Sequence, residues 1–162
     1  MGSGISGLYN IGSFDYTIDS TDSESLLLHE DNQQFKYNSK GTIEEQKRLF
    51  EKSNLDENAI PVIEKYGIGE DGKFGVRTRR YQTIYSDDPV QDSIEFYNII
   101  GKNGKVYPLE GNPNGTRTLL GDGSKIVHRI ITRTKDSPAV DIQISGSERI
   151  PGHKIHFKRK AK

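Results

Sequence analysis

The chain is predicted to fold as an α+β domain in which N-terminal helices pack on a four- or five-stranded antiparallel sheet. Two observations carry this prediction. Between residues 42 and 101, apolar side chains recur at helical spacing and are bracketed by capping signals. After residue 105, they alternate with polar side chains as in half-buried strands. Helices grouped before strands are typical of the α+β class.

Three helices are predicted in the first of these segments. Thr42 and Glu45 fit a capping box at the start of IEEQKRLFEKSN. The second helix, DENAIPVIEKYG, carries Pro61 in its first turn and ends at a glycine. The third, SDDPVQDSIEFYNIIG, begins at Asp88 and ends at Gly101. The stretch EDGKFGVRTRRYQ, before the third helix, is predicted as turns with a basic cluster.

The third helix has one predicted apolar face. Val90, Ile94, Tyr97 and Ile100 recur at the spacing that places side chains on one side of a helix. We expect this face to lie against the sheet. The predicted strands are KVYPL, RTLL, KIVHRIITRT, AVDIQIS and KIHFK, joined by turn-rich stretches such as GNPNGT and GDGS.

Charge is divided unevenly along the 162 residues. Residues 1–100 hold 10 Lys and Arg against 18 Asp and Glu, whereas residues 101–162 hold 13 against 5. A basic segment of this kind suits contact with a polyanion, and it also suits a match between two halves of one domain. Residues 1–40 are predicted to be an acidic linker or arm, partly flexible, and residues 41–162 the domain, with helices in 42–101 and the sheet in 105–158.

Several classes of protein are excluded by absences in the sequence. Cysteine is absent, which removes disulfides, thiolate nucleophiles and Cys-ligated zinc. No apolar run is long enough for a transmembrane helix. The sequence has no Walker loop, no HExxH and no nucleophile-elbow pentapeptide, so neither a cofactor nor a metal site is predicted.

The polar sides of the predicted strands form one candidate surface. In AVDIQIS, Val140 and Ile142 face one way and Asp141 the other, and in KIHFK, His156 and Lys158 face away from the apolar side. The strand KIVHRIITRT is predicted to be central, because both of its faces carry apolar residues.

A regular central strand can present only one of two neighbouring polar residues to that surface. Either His128 or Arg129 can point there, but not both. The predicted substrate-binding residues of the surface are Lys125, Arg133, Asp141 and Lys158.

An imidazole, a guanidinium and hydroxyls on one basic surface suit phosphodiester chemistry. The imidazole moves protons, the cation stabilises charge on the transferring phosphate, and the hydroxyls orient it. RNA carries its own nucleophile, the 2′-hydroxyl, so RNA is a more suitable substrate than DNA for a site without metal. The predicted catalytic residues are His128, Arg129, Thr132, Thr134, Ser137 and His156.

The C-terminal part resembles the terminal toxin modules of bacterial polymorphic and contact-dependent toxins. The resemblance covers roughly residues 88–158, and it lies in a string of short motifs. These are Asp122-Gly123, Arg129, Thr132 and Thr134, Ser137-Pro138, Asp141-Ile142, and Lys154-Ile155-His156-Phe157.

Many such modules are ribonucleases of the barnase–EndoU–colicin–RelE type, with the site on the open face of an antiparallel sheet. The resemblance implies site positions at Arg129, Thr132, Thr134, Ser137 and His156. It also implies a secreted or surface-delivered protein acting in the cytoplasm of a target cell, with RNA as substrate. A cognate immunity protein, expected to be acidic, would cover the basic sheet surface.

Two alternatives stay open. DGKFGVRT, residues 71–78, resembles the D-G-x-F-G-x-x-T signature of small peptidoglycan-binding domains. A non-enzymatic binding module, holding a cell-wall glycan or an acidic protein, would then use a cleft near Phe74 and Tyr81. The second alternative is a DNase or a nucleotide-modifying transferase on the same scaffold.

Overall fold

The computed structural model describes residues 29–30, 33–109, 111, 114–132 and 137–161. Within them, the strands are β1 (His29–Glu30), β2 (Gln33–Gln34), β3 (Lys36–Tyr37), β4 (Val76–Thr78), β5 (Tyr81–Ser86), β6 (Lys105–Pro108), β7 (Gly115–Leu119), β8 (Lys125–Arg129), β9 (Ala139–Ile144) and β10 (His153–Arg159). Eight of these strands form one sheet in the order β3-β6-β7-β8-β9-β10-β5-β4, and β1 pairs with β2 in a separate two-stranded sheet. The helices are α1 (Ile43–Lys52), α2 (Leu55–Asn58), α3 (Ile60–Tyr66) and α4 (Pro89–Ile100).

The predicted sheet of four or five antiparallel strands behind N-terminal helices is wrong. The sheet has eight strands and is mixed, because β5 runs parallel to β10. Its strands also do not all follow the helices, since β3 precedes α1 and both β4 and β5 lie between α3 and α4. A parallel pair requires a long crossover, which here contains α4 and β6 to β9. Local patterns do not reveal such a distant pairing.

The helix starts follow the predicted capping chemistry. The Thr42 hydroxyl accepts a hydrogen bond from the Glu45 amide, and the Glu45 carboxylate reaches back to the Thr42 amide, so the predicted capping box is confirmed. Asp88 caps α4 by accepting a bond from the Gln91 amide. The predicted second helix is divided into α2 and α3, with Pro61 in the first turn of α3.

One face of the sheet is covered by α4 and by α2 and α3 beside it. The α4 residues that are buried include Ser93, Phe96, Tyr97 and Ile100. Val90, which belonged to the predicted apolar face, is exposed. The core beneath the helices consists of Leu55, Ala59, Val62, Phe74, Ile84, Phe96, Tyr97, Ile100, Leu120, Ile126, Val140, Ile142, Ile150, Ile155 and Phe157. Burial of each large apolar side chain stabilises this layer by roughly 1.5–3 kcal/mol.

The described residues cover the other face at one end only. There, Phe35, Tyr37 and Tyr107 form a second cluster, against which Phe50 of α1 packs. The Lys105 ammonium lies 5.0 Å from the centre of the Phe35 ring and 4.5 Å from that of Phe50. Residues 35–37 therefore belong to the folded sheet, although they fall within the predicted arm. The described residues leave uncovered the end of this face that is built from β8, β9, β10 and β5.

The DGKFG stretch is a tight connection into β4. Gly75 has φ +76°, and a Cβ there would lie 2.3 Å from the carbonyl oxygen of Thr83. Phe74 is fully buried, and its amide donates to His153 Nε2 at 3.1 Å. The glycine therefore serves a backbone approach between neighbouring strands.

Candidate active site

A groove of about 1080 Å³ lies on the open end of the sheet. Four strands and the segments beside them contribute its lining, which is Arg79, Arg80, Tyr81, Arg129, Ile131, Thr132, Ala139, Asp141, Lys154 and His156. The groove thus combines residues from distant parts of the chain.

The floor of the groove is set by one cross-strand row. Arg129 of β8 pairs with Ala139 of β9, and Ala139 pairs with His156 of β10. Paired residues project to the same face, and neighbouring strands are roughly 5 Å apart, so the Cα atoms of Arg129 and His156 are roughly 10 Å apart. Ala139, which lies between Arg129 and His156 in this row, carries only a methyl side chain.

The His156 ring is positioned by a hydrogen bond with Ser137. Its Nδ1 lies 2.8 Å from the Ser137 hydroxyl oxygen. The Ser137 carbonyl in turn accepts a hydrogen bond of 2.6 Å from the Thr132 hydroxyl. Both His156 and Ser137 are buried, so the segment after β8 and the last strand are joined beneath the groove.

Burial lowers the pKa of His156 below the ordinary 6.5. The Ser137 backbone, as a hydrogen-bond partner, opposes this shift, and the positive charges of Lys154 and Lys158 reinforce it. At neutral pH the ring is therefore uncharged. It presents the lone pair of Nε2 as a base in the tautomer whose Nδ1 proton is donated to Ser137.

Tyr81 forms the wall beside this imidazole. The centres of the Tyr81 and His156 rings are 4.1 Å apart. The Tyr81 oxygen accepts a hydrogen bond of 3.0 Å from the Lys158 ammonium. Because the oxygen accepts this bond, the hydroxyl still carries a hydrogen of its own that it can donate.

Next to Tyr81, the groove is bounded by the two-residue turn between β4 and β5. Arg79 and Arg80 occupy this turn, and both are exposed. Arg79 has φ +53°, a left-handed conformation that is uncommon for residues other than glycine. The turn brings two guanidinium groups to a site otherwise built from β8, β9 and β10.

The groove is strongly cationic. Among the described residues that line it, Arg79, Arg80, Arg129 and Lys154 are positive and Asp141 is negative. Since His156 is uncharged, the lining carries a clear excess of positive charge, which attracts a polyanion.

Most of the predicted site residues that the structure describes meet at this groove. Arg129, Thr132, Asp141 and His156 line it. Ser137 lies directly behind His156, and Lys158 contacts Tyr81.

His128 does not belong to this group, because it lies on the opposite, helix-covered face. Its Nε2 is 3.0 Å from the Ser93 hydroxyl, and its ring stacks on that of Tyr97. Burial lowers its pKa to about 4. The prediction that only one of His128 and Arg129 reaches the polar surface is confirmed, and the structure places Arg129 there.

One further described residue of the predicted site lies away from the groove. Lys125 is at the opposite end of β8 from Arg129, roughly 13 Å away along the strand, and it does not line the groove. Arg133 and Thr134 fall outside the described residues.

Arg79, Arg80, Tyr81 and Lys154 were absent from the predicted site. A signal for the first three is present in the sequence: two runs of strand-forming residues, VRT and YQTIYS, are separated by two residues, which is the length of a hairpin turn. For Lys154, strand alternation already placed it on the same side as His156.

The peptidoglycan-binding signature does not form a surface cleft at Phe74. That side chain is buried against Phe96, with 5.0 Å between their ring centres. Tyr81 belongs to the cationic groove.

Among the described residues, no group of three or more His, Asp or Glu is arranged to hold a metal ion. None of the helices in the described part of the chain has the length and apolar character needed to cross a membrane. No family model matches this chain, and neither a curated protein nor a solved structure is significantly similar to it.

Proposed function

We propose that the domain is an endoribonuclease that cleaves RNA in the groove by 2′-hydroxyl transesterification. The observation that carries this proposal is the uncharged imidazole of His156, fixed by Ser137 and facing Arg129 across Ala139 in a cationic groove. RNA brings both the phosphate that a cationic groove attracts and the hydroxyl that a base can deprotonate.

Each side chain has one role in the proposed reaction. His156 Nε2 takes the proton of the 2′-hydroxyl, and the 2′-oxygen attacks the adjacent phosphorus. The bond from phosphorus to the 5′-oxygen breaks, and that oxygen takes the phenolic proton of Tyr81. Arg129 stabilises the negative charge that develops on the phosphate oxygens. The products are a 2′,3′-cyclic phosphate and a 5′-hydroxyl.

The biological setting that we propose is bacterial competition. The motifs of residues 88–158 resemble toxin modules, and a nuclease groove is a suitable active part for such a module. The protein would be secreted or surface-delivered and would act on RNA in the cytoplasm of the target cell. An acidic immunity protein suits the groove, because carboxylates opposite Arg79, Arg80, Arg129 and Lys154 would block RNA electrostatically.

The test uses RNA and its 2′-deoxy analogue as substrates of the purified protein. We expect cleavage of RNA with a cyclic phosphate product, and no cleavage of the deoxy analogue. His156→Asn keeps a hydrogen-bonding group near the position of Nδ1 but removes Nε2, and we expect its kcat/KM to fall about 10²- to 10⁴-fold. Arg129→Ala should also lose activity, whereas Arg149→Ala removes an exposed arginine outside the groove and should not.

Expression in a bacterium under tight control gives the second measurement. We expect growth arrest with degraded RNA for the unaltered chain, and normal growth for His156→Asn. Intact RNA with normal growth would show that the proposal is wrong. Growth arrest with intact RNA and degraded DNA would instead favour a DNase.

A further inference from the structure

Asp141 is a carboxylate on the floor of a groove that otherwise attracts anions. It pairs across the sheet with Val127 on one side and with Lys154 on the other. Its side chain is half-buried and lines the groove. It lies two residues along β9 from Ala139, so roughly 7 Å separates it from the row that holds Arg129 and His156.

This carboxylate has no hydrogen bond and no ion pair with any other residue that the structure describes. Lys154 is its cross-strand neighbour on β10, but the Asp141 carboxylate and the Lys154 ammonium are not within ion-pair distance. A bound phosphate would be repelled by Asp141, so the group is unsuited to holding the RNA backbone. The carboxylate oxygens of Asp141 are instead suited to accept hydrogen bonds from N–H donors of a ligand bound in the groove.

The donors that RNA offers are on the edges of its bases. An unstacked base can present its Watson–Crick edge to a protein side chain. A carboxylate accepts two parallel hydrogen bonds best when two N–H groups lie side by side. Guanine presents such a pair on N1 and N2. Cytosine and adenine present one amino group beside an acceptor nitrogen, and uracil presents one N–H between two acceptor oxygens.

We propose that Asp141 recognises guanine, accepting hydrogen bonds from N1–H and N2–H of a nucleotide bound beside the scissile phosphate. This inference rests on the proposed ribonuclease function for its substrate. The separation between Asp141 and His156 is short enough for one nucleotide to contact both. Asp141 is then a specificity-determining residue, and it takes no part in the proton transfers.

The cleavage test uses chimeric pentanucleotides in which a single ribonucleotide, guanosine, adenosine, cytidine or uridine, is surrounded by deoxyadenosines. Only the bond after the ribonucleotide can be cleaved by its 2′-hydroxyl. We expect kcat/KM to be about 10- to 100-fold higher for guanosine than for the other three, the discrimination typical of a bidentate base contact. A second series, with riboadenosine followed by each of the four bases, reports a site for the base after the scissile bond.

Asp141→Asn keeps the size of the side chain but replaces one acceptor oxygen by a donor. We expect it to lose about 10- to 100-fold in kcat/KM for the guanosine substrate and little for the other three. Adenosine cleavage should rise, because an amide matches the donor and acceptor of adenine. Glu148→Gln, which removes an equal charge from an exposed turn, is the matched control and should leave the preference unchanged.

A binding measurement separates this inference from the proposed function. Nuclear magnetic resonance titrations with the four nucleoside 5′-monophosphates should show tightest binding of guanosine monophosphate, with shifts at the Asp141 and Lys154 amides. Selective binding of guanosine monophosphate without RNA cleavage would support the base site and oppose the ribonuclease.

Three results would overturn the inference. The first is cleavage of all four substrates at equal rates in both series. The second is a guanine preference that Asp141→Asn retains. The third is an equal loss on all four substrates in a folded variant, which would assign Asp141 to the chemistry or to the fold.

Discussion

Protonation of His128 should destabilise the fold at acidic pH. Its ring is buried between β8 and α4, with Ser93 as hydrogen-bond partner and Tyr97 stacked on it. The Ser93 hydroxyl donates to the Val90 carbonyl, so His128 Nε2–H donates to the Ser93 oxygen and the neutral tautomer is satisfied. A charged ring in this position would be desolvated, and burial is the cause of the lowered pKa.

The size of the effect follows from the difference in pKa between the unfolded and the folded chain. The pKa falls from 6.5 to about 4 on folding, so the unfolded chain binds more protons between these two pH values. The contribution of neutral His128 to the free energy of unfolding is complete above pH 6.5, and it is lost as the pH falls towards about 4. The loss amounts to about 3 kcal/mol, a large part of the 5–15 kcal/mol that is typical of a domain.

The assay is urea unfolding followed by circular dichroism at a series of pH values. His128→Gln is the comparison, because its amide nitrogen can donate to Ser93 but does not titrate. Between neutral pH and about pH 4, we expect the unaltered protein to lose about 3 kcal/mol more free energy of unfolding than the variant. His153 and His156, whose pKa values are also lowered by burial, contribute equally to both proteins.

Parallel pH profiles for the two proteins would refute this reasoning. A direct measurement remains if the variant does not fold. The ring protons of His128 in the unaltered protein should then titrate well below pH 6.5 in magnetic resonance spectra, and a titration at the ordinary value would contradict the assignment of a desolvated ring.

Three further predictions concern the groove and the turn that leads to it. The kcat/KM for RNA should rise with pH through a pKa below 6.5, since neutral His156 is the base, and a profile that falls over that range would contradict this role. Arg80→Ala should reduce the slope of log Kd against log salt for single-stranded RNA by about 0.7, the value for one phosphate contact, and an unchanged slope would exclude such a contact. Gly75→Ala should cost more than about 2 kcal/mol in urea unfolding, because it adds a clash with Thr83 to the left-handed strain. At Gly123, where φ is +92°, an added Cβ would meet no atom within 4 Å, so Gly123→Ala should cost only about 1–2 kcal/mol. Equal losses for the two variants would show that the clash at residue 75 is relieved.

The faces of single strands could be predicted from the sequence. Side-chain alternation alone places Val140 and Ile142 in the core and Asp141 on the opposite face, as the structure shows. The same rule separates His128 from Arg129. What decides between them is which face α4 covers, and that depends on a tertiary contact, Ser93 with His128, that no local pattern contains.

The partners of the strands could not be predicted in the same way. Tyr81 and His156 are 75 positions apart, and they meet because β5 lies parallel to β10. Period-two alternation tells which way a side chain points but not which strand lies beside it. The stretch that contains β4, Arg79, Arg80 and the start of β5 is therefore predicted as turns with a basic cluster, and the wall that these residues form is absent from the predicted site.

The pairing of β5 with β10 also changes the meaning of the charge division along the chain. Residues 1–100 have a net negative charge, yet Arg79 and Arg80 from this half line the cationic groove beside Arg129 and Lys154 from the basic half. The sign of a surface depends on which side chains the topology brings together, and the net charge of a segment averages over all its faces. A partner that recognises this groove must therefore contact both halves of the chain. A fragment of residues 101–162 alone would lack two of the four cations, and it would also lack the Tyr81 wall that packs against His156.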